Sequence, residues 1–352
     1  MGYLKLEESH EPHPRKWWHI PLLLLLIAGV GYIIYERYGS TDVASGEWQR
    51  TEGNIFGTIY HIMYHSDKDL SNGIKSTMDS VDKSLSTFNP ESSISRINNN
   101  ISSNADSMLL SVVVRAQDIS QTTEGAFDIT VAPLVNAWGF GFKNSDHVDS
   151  LLIDSLMEFV GMDKISIEGS EIHKKDSRMM LDCNAIAKGY GVDAVSHYLD
   201  SCGVVDYMVE IGGEVRVRGA SPTADRWRIG INEPVDDSLS VNTGIENILN
   251  LSNISMATSG NYRNYYVKDH KKYAHTIDPK TGYPVQHNIL SSTVISSDCM
   301  TADAYATAFM VMGLERAKEI LSRDTTLKAY FIYSDSNGKN QTWHSDGLLL
   351  DH

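Results

Sequence analysis

The chain has 352 residues and a formal net charge of −15 at pH 7, a length that suits one large domain or two. The acidic balance argues against a nucleic-acid partner, because contacts to phosphates need clustered Lys and Arg. Its three cysteines, Cys183, Cys202 and Cys299, are too few for a disulfide scaffold and leave at least one free thiol. We expect them to be small core residues.

An apolar stretch near the N-terminus predicts a membrane anchor. Residues 17–35 carry no charged side chain and have about the length that crosses a bilayer, with Trp and Tyr at the ends and Arg15-Lys16 just before them. The positive-inside rule places residues 1–16 in the cytoplasm and the remainder outside. A cleaved signal peptide is the alternative, but no clear A-x-A site follows, and no Cys directly follows for a lipid anchor. We expect a signal anchor over 17–36, a polar linker over 37–52 and one domain over 53–352.

The domain mixes strand and helix patterns in chain order. After a strand over 54–66, helices are predicted at 69–85 and 107–122, with a turn-rich segment at 86–100 between them and an irregular one at 125–141. A helix at 150–160, paired strands over 164–181 and a helix from 188 to about 201 follow, then a strand ending at Gly212-Gly213. Further strands are predicted at 227–231, 246–259, 291–297 and 327–333, with a possible edge strand at 348–350. A helix with Thr301 as N-cap and another at 314–321 complete the set. Because βαβ alternation is irregular, we predict an α+β fold of mixed sheets with packed helices.

The segment 181–219 is the first candidate site. A turn from Asp182 leads into a helix with Lys188 at its mouth, and a helix N-terminus with an adjacent ammonium suits phosphate. The structural alternative is that Asp182 caps the helix and Lys188 is solvated. Both interpretations fit these residues.

A second pair lies near the C-terminus. Asp303 and Thr307 are four residues apart, so their side-chain oxygens share one helix face. Hard oxygens suit Mg²⁺ with substrate phosphates, whereas no H-E-x-x-H or C-x-x-C pattern points to zinc. Alternatively, Asp303 complements the helix dipole and Thr307 packs.

Three other residues leave alternatives open. Phe88 can point into a site or close the core, and the residues alone favour the core. Asp128, between two apolar residues, needs a partner if it is buried, either a ligand or a backbone N–H. His275 stands at the entrance of a stiff turn.

Seven blocks together resemble the ApbE family of FAD:protein FMN transferases. They are STFNPESSISRIN, GAFDIT, DCNAIAKGYGVD, VEIGGEVRVRG, SMATSGNYRNY, HTIDPKTGYPV and TADAYATAFMVMG, in the family's order between residues 53 and 333. The resemblance implies an ApbE/T-fold-like domain facing the periplasm from a bacterial inner membrane. It implies cleavage of FAD with Mg²⁺ and transfer of FMN to a Thr or Ser hydroxyl of a target protein, with AMP released. Such targets are commonly subunits of membrane redox complexes.

By motif position, the resemblance also assigns roles. Mg²⁺ would be held by the Ala185 carbonyl and the side chains of Asp303 and Thr307. FAD would be contacted by Ala126, Phe127, Asp128, Asp182, Lys188 and His275, with Phe88 near the flavin, and His275 would take the proton from the incoming hydroxyl.

Two departures from the family pattern matter. Many members have Tyr where this chain has Phe88, a position linked to the choice between a protein hydroxyl and water as acceptor, and many are lipoproteins. The first departure leaves a Mg²⁺-dependent FAD pyrophosphatase as an alternative, whereas the second changes only the anchor. A non-catalytic, membrane-tethered flavin-binding protein is the alternative from another functional class.

Overall fold

The computed structural model describes residues 46–141, 148–234, 244–260, 265–268, 271–274, 276–286 and 288–350. For residues 265–268 and 271–274 only the backbone is described. The predicted anchor, the cytoplasmic tail, most of the linker and His275 lie outside these residues. Within the described part of the chain, no helix combines the length and apolarity needed to cross a bilayer.

An antiparallel sheet of eight strands forms the centre of the domain. Its spatial order is β1-β2-β5-β6-β9-β12-β13-β14. Hairpins join β1 to β2, β5 to β6 and β13 to β14, whereas the other neighbours are joined by longer connections that contain helices or other strands. The eight strands are β1 (Glu47–Ile55), β2 (Thr58–Ser66), β5 (Tyr207–Ile211), β6 (Glu214–Arg218), β9 (Ile254–Gly260), β12 (Ile289–Ser296), β13 (Lys328–Ser334) and β14 (Asn340–His344).

Among the described residues, three small hairpins and eight α-helices surround this sheet. The hairpins are β3 (Ile165–Glu168) with β4 (Glu171–Lys174), β7 (Trp227–Asn232) with β8 (Ile245–Leu251), and β10 (Tyr265–Lys268) with β11 (Lys271–Ala274). The helices are α1 (Ser71–Leu85), α2 (Ser93–Asn98), α3 (Ser107–Thr122), α4 (Ala132–Ala137), α5 (Ser150–Met157), α6 (Ala187–Ser201), α7 (Cys299–Met312) and α8 (Leu314–Arg323).

The central strands are buried on both faces. Successive side chains of a strand point to opposite sides, so Ala257 and Val294 pack in the cluster that contains α3 and α7, while Met256 and Ile295 pack with Trp227 of the β7–β8 hairpin. A further cluster joins β2 and β5 to α1 and α6. The α+β prediction is confirmed, and helix α7, enclosed almost all round, lies at the centre of the domain.

Several predicted boundaries are wrong, mostly where one residue takes a left-handed conformation. The single strand expected at 54–66 is a hairpin, because Phe56 and Gly57 have φ of 51° and 73° and form a tight turn. The strand expected at 246–259 is two strands, separated at Asn253 with φ of 55°. Its halves belong to different sheets. Strand β1 starts at Glu47, inside the predicted linker.

Short helices occur in both segments that were expected to be irregular. In 86–100, Ser92 caps α2 by accepting a hydrogen bond from Ser95 N. In 125–141, α4 carries a proline in its first turn, where no N–H is needed. Helix α7 begins three residues earlier than predicted, since Asp298 rather than Thr301 is its N-cap.

Two other strand predictions are also wrong in their position. The second of the paired strands expected over 164–181 stops at Lys174. The last strand of the sheet is β14, whereas the predicted edge strand at 348–350 makes only a single bridge, between Leu350 and Leu249. The cysteines are free, and Cys183 and Cys299 are buried as expected, but Cys202 is exposed.

Candidate active site

One cleft of about 1280 Å³ collects the predicted site residues. It lies against β6, β9, α6 and α7. His275 is outside the described residues, although its neighbours Thr276 and Ile277 line the cleft. The other nine line it as well: Phe88, Ala126, Phe127, Asp128, Asp182, Ala185, Lys188, Asp303 and Thr307.

The turn before α6 is held from both sides by hydrogen bonds. The Asn98 side chain donates to Leu181 O and accepts from Leu181 N, at 2.8 and 2.7 Å. Asp182 N donates to Ile129 O at 2.7 Å. These contacts join three separate stretches of chain, so the backbone around Ala185 is fixed relative to the cleft.

Asp182 does not cap the helix, so that alternative is wrong. The N-cap of α6 is Ile186, whose side chain makes no capping bond. The buried Asp182 carboxylate instead accepts from Asn184 N at 2.8 Å. Burial raises the pKa of Asp182, although the hydrogen bonds from Asn184 oppose this.

Lys188 is paired rather than solvated. Its Nζ lies 3.0 Å from Glu214 Oε1 and 3.9 Å from Asp303 Oδ1, and its side chain is 29 % exposed. Burial by itself would lower the pKa of Lys188, but the charges of Asp303 and Glu214 outweigh it and raise the pKa above its ordinary value. The ammonium therefore stays charged between two carboxylates.

Glu214 is a site residue that the sequence analysis missed. Gly212 and Gly213, with φ of 64° and 104°, make the tight turn that places Glu214 at the start of β6 beside Lys188. The residue is 2 % exposed, and its Oε2 has no hydrogen-bond partner among the described residues. Burial raises the pKa of Glu214 against the effect of Lys188. In the sequence EVRVR, Glu214 alternates with valines in the same way as Arg216 and Arg218, so the local pattern does not reveal its burial.

Asp303 and Thr307 reach the cleft from α7. Asp303 Oδ2 accepts from Gly189 N at 3.0 Å, and Thr307 Oγ1 is 2.9 Å from Ser259 Oγ. Burial raises the pKa of Asp303, whereas Lys188 and the Gly189 N–H lower it. A Cβ added at Gly189 would lie 2.3 Å from Cys299 O. The close approach of α6 to α7 thus depends on this glycine.

The charges and donors of this cluster fit a hard cation. Two buried carboxylates, Asp303 and Glu214, surround one ammonium, so the ionised cluster carries one excess negative charge. The Asp303 carboxylate and the Thr307 hydroxyl, which both line the cleft, are oxygen donors of the type that Mg²⁺ takes alongside substrate phosphates. No group of three or more His, Cys, Asp or Glu side chains that could hold a metal ion gathers in the described residues.

The opposite wall contains the other predicted residues. Asp128 Oδ1 accepts from Thr130 N and Oγ1 at 2.7 and 2.6 Å, and Oδ2 accepts from Met162 N at 3.1 Å. Backbone N–H groups are therefore among its partners, and burial raises its pKa. Phe88 is 70 % exposed, so the expectation that it closes the core is wrong.

Comparison with known proteins identifies the family. Residues 56–331 match the ApbE family. The chain is 39 % identical over 298 residues to the FAD:protein FMN transferase of Vibrio cholerae, covering 82 % of this chain and 88 % of that one. It is 34 % identical over 303 residues to the Haemophilus influenzae protein of the same name, covering 81 % and 86 %.

This chain belongs to the ApbE family. The structure of the flavin transferase ApbE from Vibrio cholerae superposes with a TM-score of 0.77 at 35 % identity, covering 86 % of this chain and 98 % of that one. The apo flavinyl transferase ApbE of Pseudomonas stutzeri gives 0.75 at 30 % identity, covering 87 % and 97 %. The family predicted from the seven sequence blocks is confirmed.

Proposed function

We propose that this ApbE-family chain transfers FMN from FAD to a Thr or Ser hydroxyl of a target protein and releases AMP. The observation that carries the proposal is the single cleft. It joins the buried Asp303–Lys188–Glu214 cluster to the wall formed by residues 126–128, which lie more than fifty residues away in sequence. The names of the relatives support the same reaction.

The reaction breaks one bond of the FAD pyrophosphate and makes one new ester. The acceptor hydroxyl oxygen attacks the FMN phosphorus, the bond from that phosphorus to the bridging oxygen breaks, and the electron pair leaves with AMP. We assign the hydroxyl proton to His275, because an imidazole can accept a proton near neutral pH. The protein contributes mainly position and charge, as in other phosphoryl transfers.

The residues of the cleft then take distinct roles. The Ala185 carbonyl, Asp303 and Thr307 would hold Mg²⁺, which when bound supplies charge stabilisation to the pyrophosphate and the leaving AMP. The Lys188 ammonium faces the same phosphates. Ala126, Phe127, Asp128 and Asp182 line the nucleotide side, and Phe88 lies at the exposed edge where the acceptor enters.

The location of the enzyme and the identity of its acceptor are also proposals. The apolar residues 17–35, preceded by Arg15-Lys16, support a signal anchor in a bacterial inner membrane with the domain in the periplasm. An acceptor in a membrane redox complex would then lie within reach. The FAD pyrophosphatase alternative is supported only by Phe88, which has no hydroxyl.

The test is to incubate the protein with FAD, Mg²⁺ and candidate acceptor domains and to detect covalent FMN by mass. We expect Asp303→Ala to lose FAD cleavage, because losing the charged ligand of a hard cation removes most of its affinity. Asp298→Ala is the matched control on the same helix. Loss of that cap costs about 1 kcal/mol of stability and leaves cleavage intact. Full activity of Asp303→Ala, or undiminished activity in EDTA, contradicts the metal assignment.

A further inference from the structure

We propose that Glu214 is a positioning residue that holds the Lys188 ammonium away from Asp303 and so keeps the Asp303 carboxylate available to a cation. This inference rests on the proposed function for the identity of the cation. It adds a role for a residue that does not itself contact the reacting atoms.

The distances show that Lys188 is closer to Glu214 than to Asp303. Lys188 Nζ has two carboxylates within reach, at 3.0 Å for Glu214 and 3.9 Å for Asp303. Only the first is a hydrogen-bond distance. The ammonium is thus anchored on Glu214 and only neighbours Asp303.

Asp303 accordingly has one carboxylate oxygen that makes no hydrogen bond to any described residue. Its Oδ2 accepts from Gly189 N at 3.0 Å, whereas Oδ1 faces the ammonium beyond hydrogen-bond range. That oxygen, which lines the cleft with Thr307, is the one a cation would take.

If the Glu214 charge were removed, the Lys188 ammonium would pair with Asp303 instead. Both carboxylates are 3 % exposed at the side chain, so a charged ammonium that lost one partner would have little water to replace it. The nearest remaining anion is Asp303. A direct ion pair there would occupy the oxygen that the cation needs, and Lys188 would become a competitor of the metal.

The Gly-Gly turn makes the arrangement rigid. A Cβ at Gly212 would lie 2.7 Å from the Thr58 side chain and 3.3 Å from Lys188 Cδ, so the turn packs directly on the lysine stem. Glu210, on the preceding strand, accepts from Gly213 N at 2.7 Å and pairs with His61 at 2.6 Å. Glu210 therefore provides a second glutamate at the cleft that does not contact Lys188.

The experiment measures cation binding rather than turnover. Mn²⁺ is titrated into the full-length protein and free Mn²⁺ is followed by electron paramagnetic resonance, with and without ADP as a diphosphate, and Mg²⁺ is then used as competitor. The variants are Glu214→Gln, Glu214→Asp, Glu214→Gln with Lys188→Met, and Glu210→Gln as the matched control. Thermal unfolding shows that each is folded.

We expect Glu214→Gln to weaken Mn²⁺ binding about 10- to 100-fold, the range for groups that orient a metal ligand. The added Lys188→Met removes the competitor and restores the affinity to within about threefold of the unaltered protein. Glu214→Asp keeps the charge but shortens the reach, so it should bind Mn²⁺ more weakly than the unaltered protein. Glu210→Gln should bind normally.

Three results would overturn the proposal. If Glu214→Asp binds normally while Glu210→Gln weakens binding as much as Glu214→Gln, only the net charge of the cleft matters. If the double variant binds no better than Glu214→Gln, Lys188 is not a competitor. Absence of Mn²⁺ binding by the unaltered protein, with and without ADP, also refutes it. Failure of FMN transfer with normal Mn²⁺ results would contradict the proposed function alone.

Discussion

A methyl group added at Gly189 should inactivate the enzyme without unfolding it. Gly189 is in the first turn of α6, where its N–H donates to Asp303 Oδ2. An alanine Cβ there would lie 2.3 Å from Cys299 O and 2.8 Å from Asp303 Cβ. The first atom is backbone, so no side-chain rotation relieves the overlap.

The size of the effect follows from these distances. Ordinary contact begins at 3.4 Å, so α6 and α7 must shift apart by about 1.1 Å at this point. Overpacking of this kind costs about 1–3 kcal/mol, and the better helix propensity of alanine returns up to about 1 kcal/mol. The net destabilisation is about 0–3 kcal/mol. A displacement of about 1 Å at a catalytic group costs on the order of 100-fold in rate.

The assay compares FAD cleavage and thermal unfolding for two alanine variants of the same helix. In Gly191→Ala the new Cβ would lie 2.7 Å from the end of the Phe56 ring, a side chain that can rotate aside. We expect Gly189→Ala to lose about 100-fold in cleavage with a small change in Tm, and Gly191→Ala to stay within about threefold. A fully active Gly189→Ala would refute the argument that the α6–α7 contact positions Asp303.

Three further predictions concern other parts of the chain. Phe88 has the bulk of Tyr but no hydroxyl, so covalent FMN should exceed free FMN in the unaltered enzyme. Phe88→Tyr should change the rate modestly, and Phe88→Ala should increase hydrolysis; mainly free FMN from the unaltered enzyme would support the pyrophosphatase. Burial raises the pKa of Asp193 to about 6 although the Cys299 and Met300 N–H groups oppose it. The folded state therefore holds this proton up to a higher pH than the unfolded chain, and the stability from this group is greatest below pH 3.8 and is lost as pH rises to about 6. Urea unfolding should show a loss of up to about 3 kcal/mol between pH 4 and 7 relative to Asp193→Asn; equal pH dependence in both proteins would contradict this. Finally, the mature protein should keep its N-terminus and remain in the membrane fraction, and a mature N-terminus after residue 35 would show cleavage instead.

The sequence by itself determined the helices whose apolar face repeats without interruption. Helix α3 occupies the predicted residues 107–122, and α6 starts within one residue of its predicted position. Local periodicity is sufficient there because the buried stripe alone sets the helix orientation. The seven sequence blocks were also sufficient to predict the family, because their order and spacing match the family pattern even where the rest of the chain differs.

The tertiary structure decided the site's charge network and the places where the chain reverses. The turns at Phe56 and Asn253 depend on residues in left-handed conformations, and Phe is a residue type that rarely adopts one. Local sequence shows neither the pairing of Lys188 nor the burial of Glu214, because the partner of each lies on another element. The two residues are 26 positions apart in the chain, and the Gly-Gly turn brings them together. Pairing between distant segments is invisible to local pattern, and burial of a charge is tolerated only where such a partner is present.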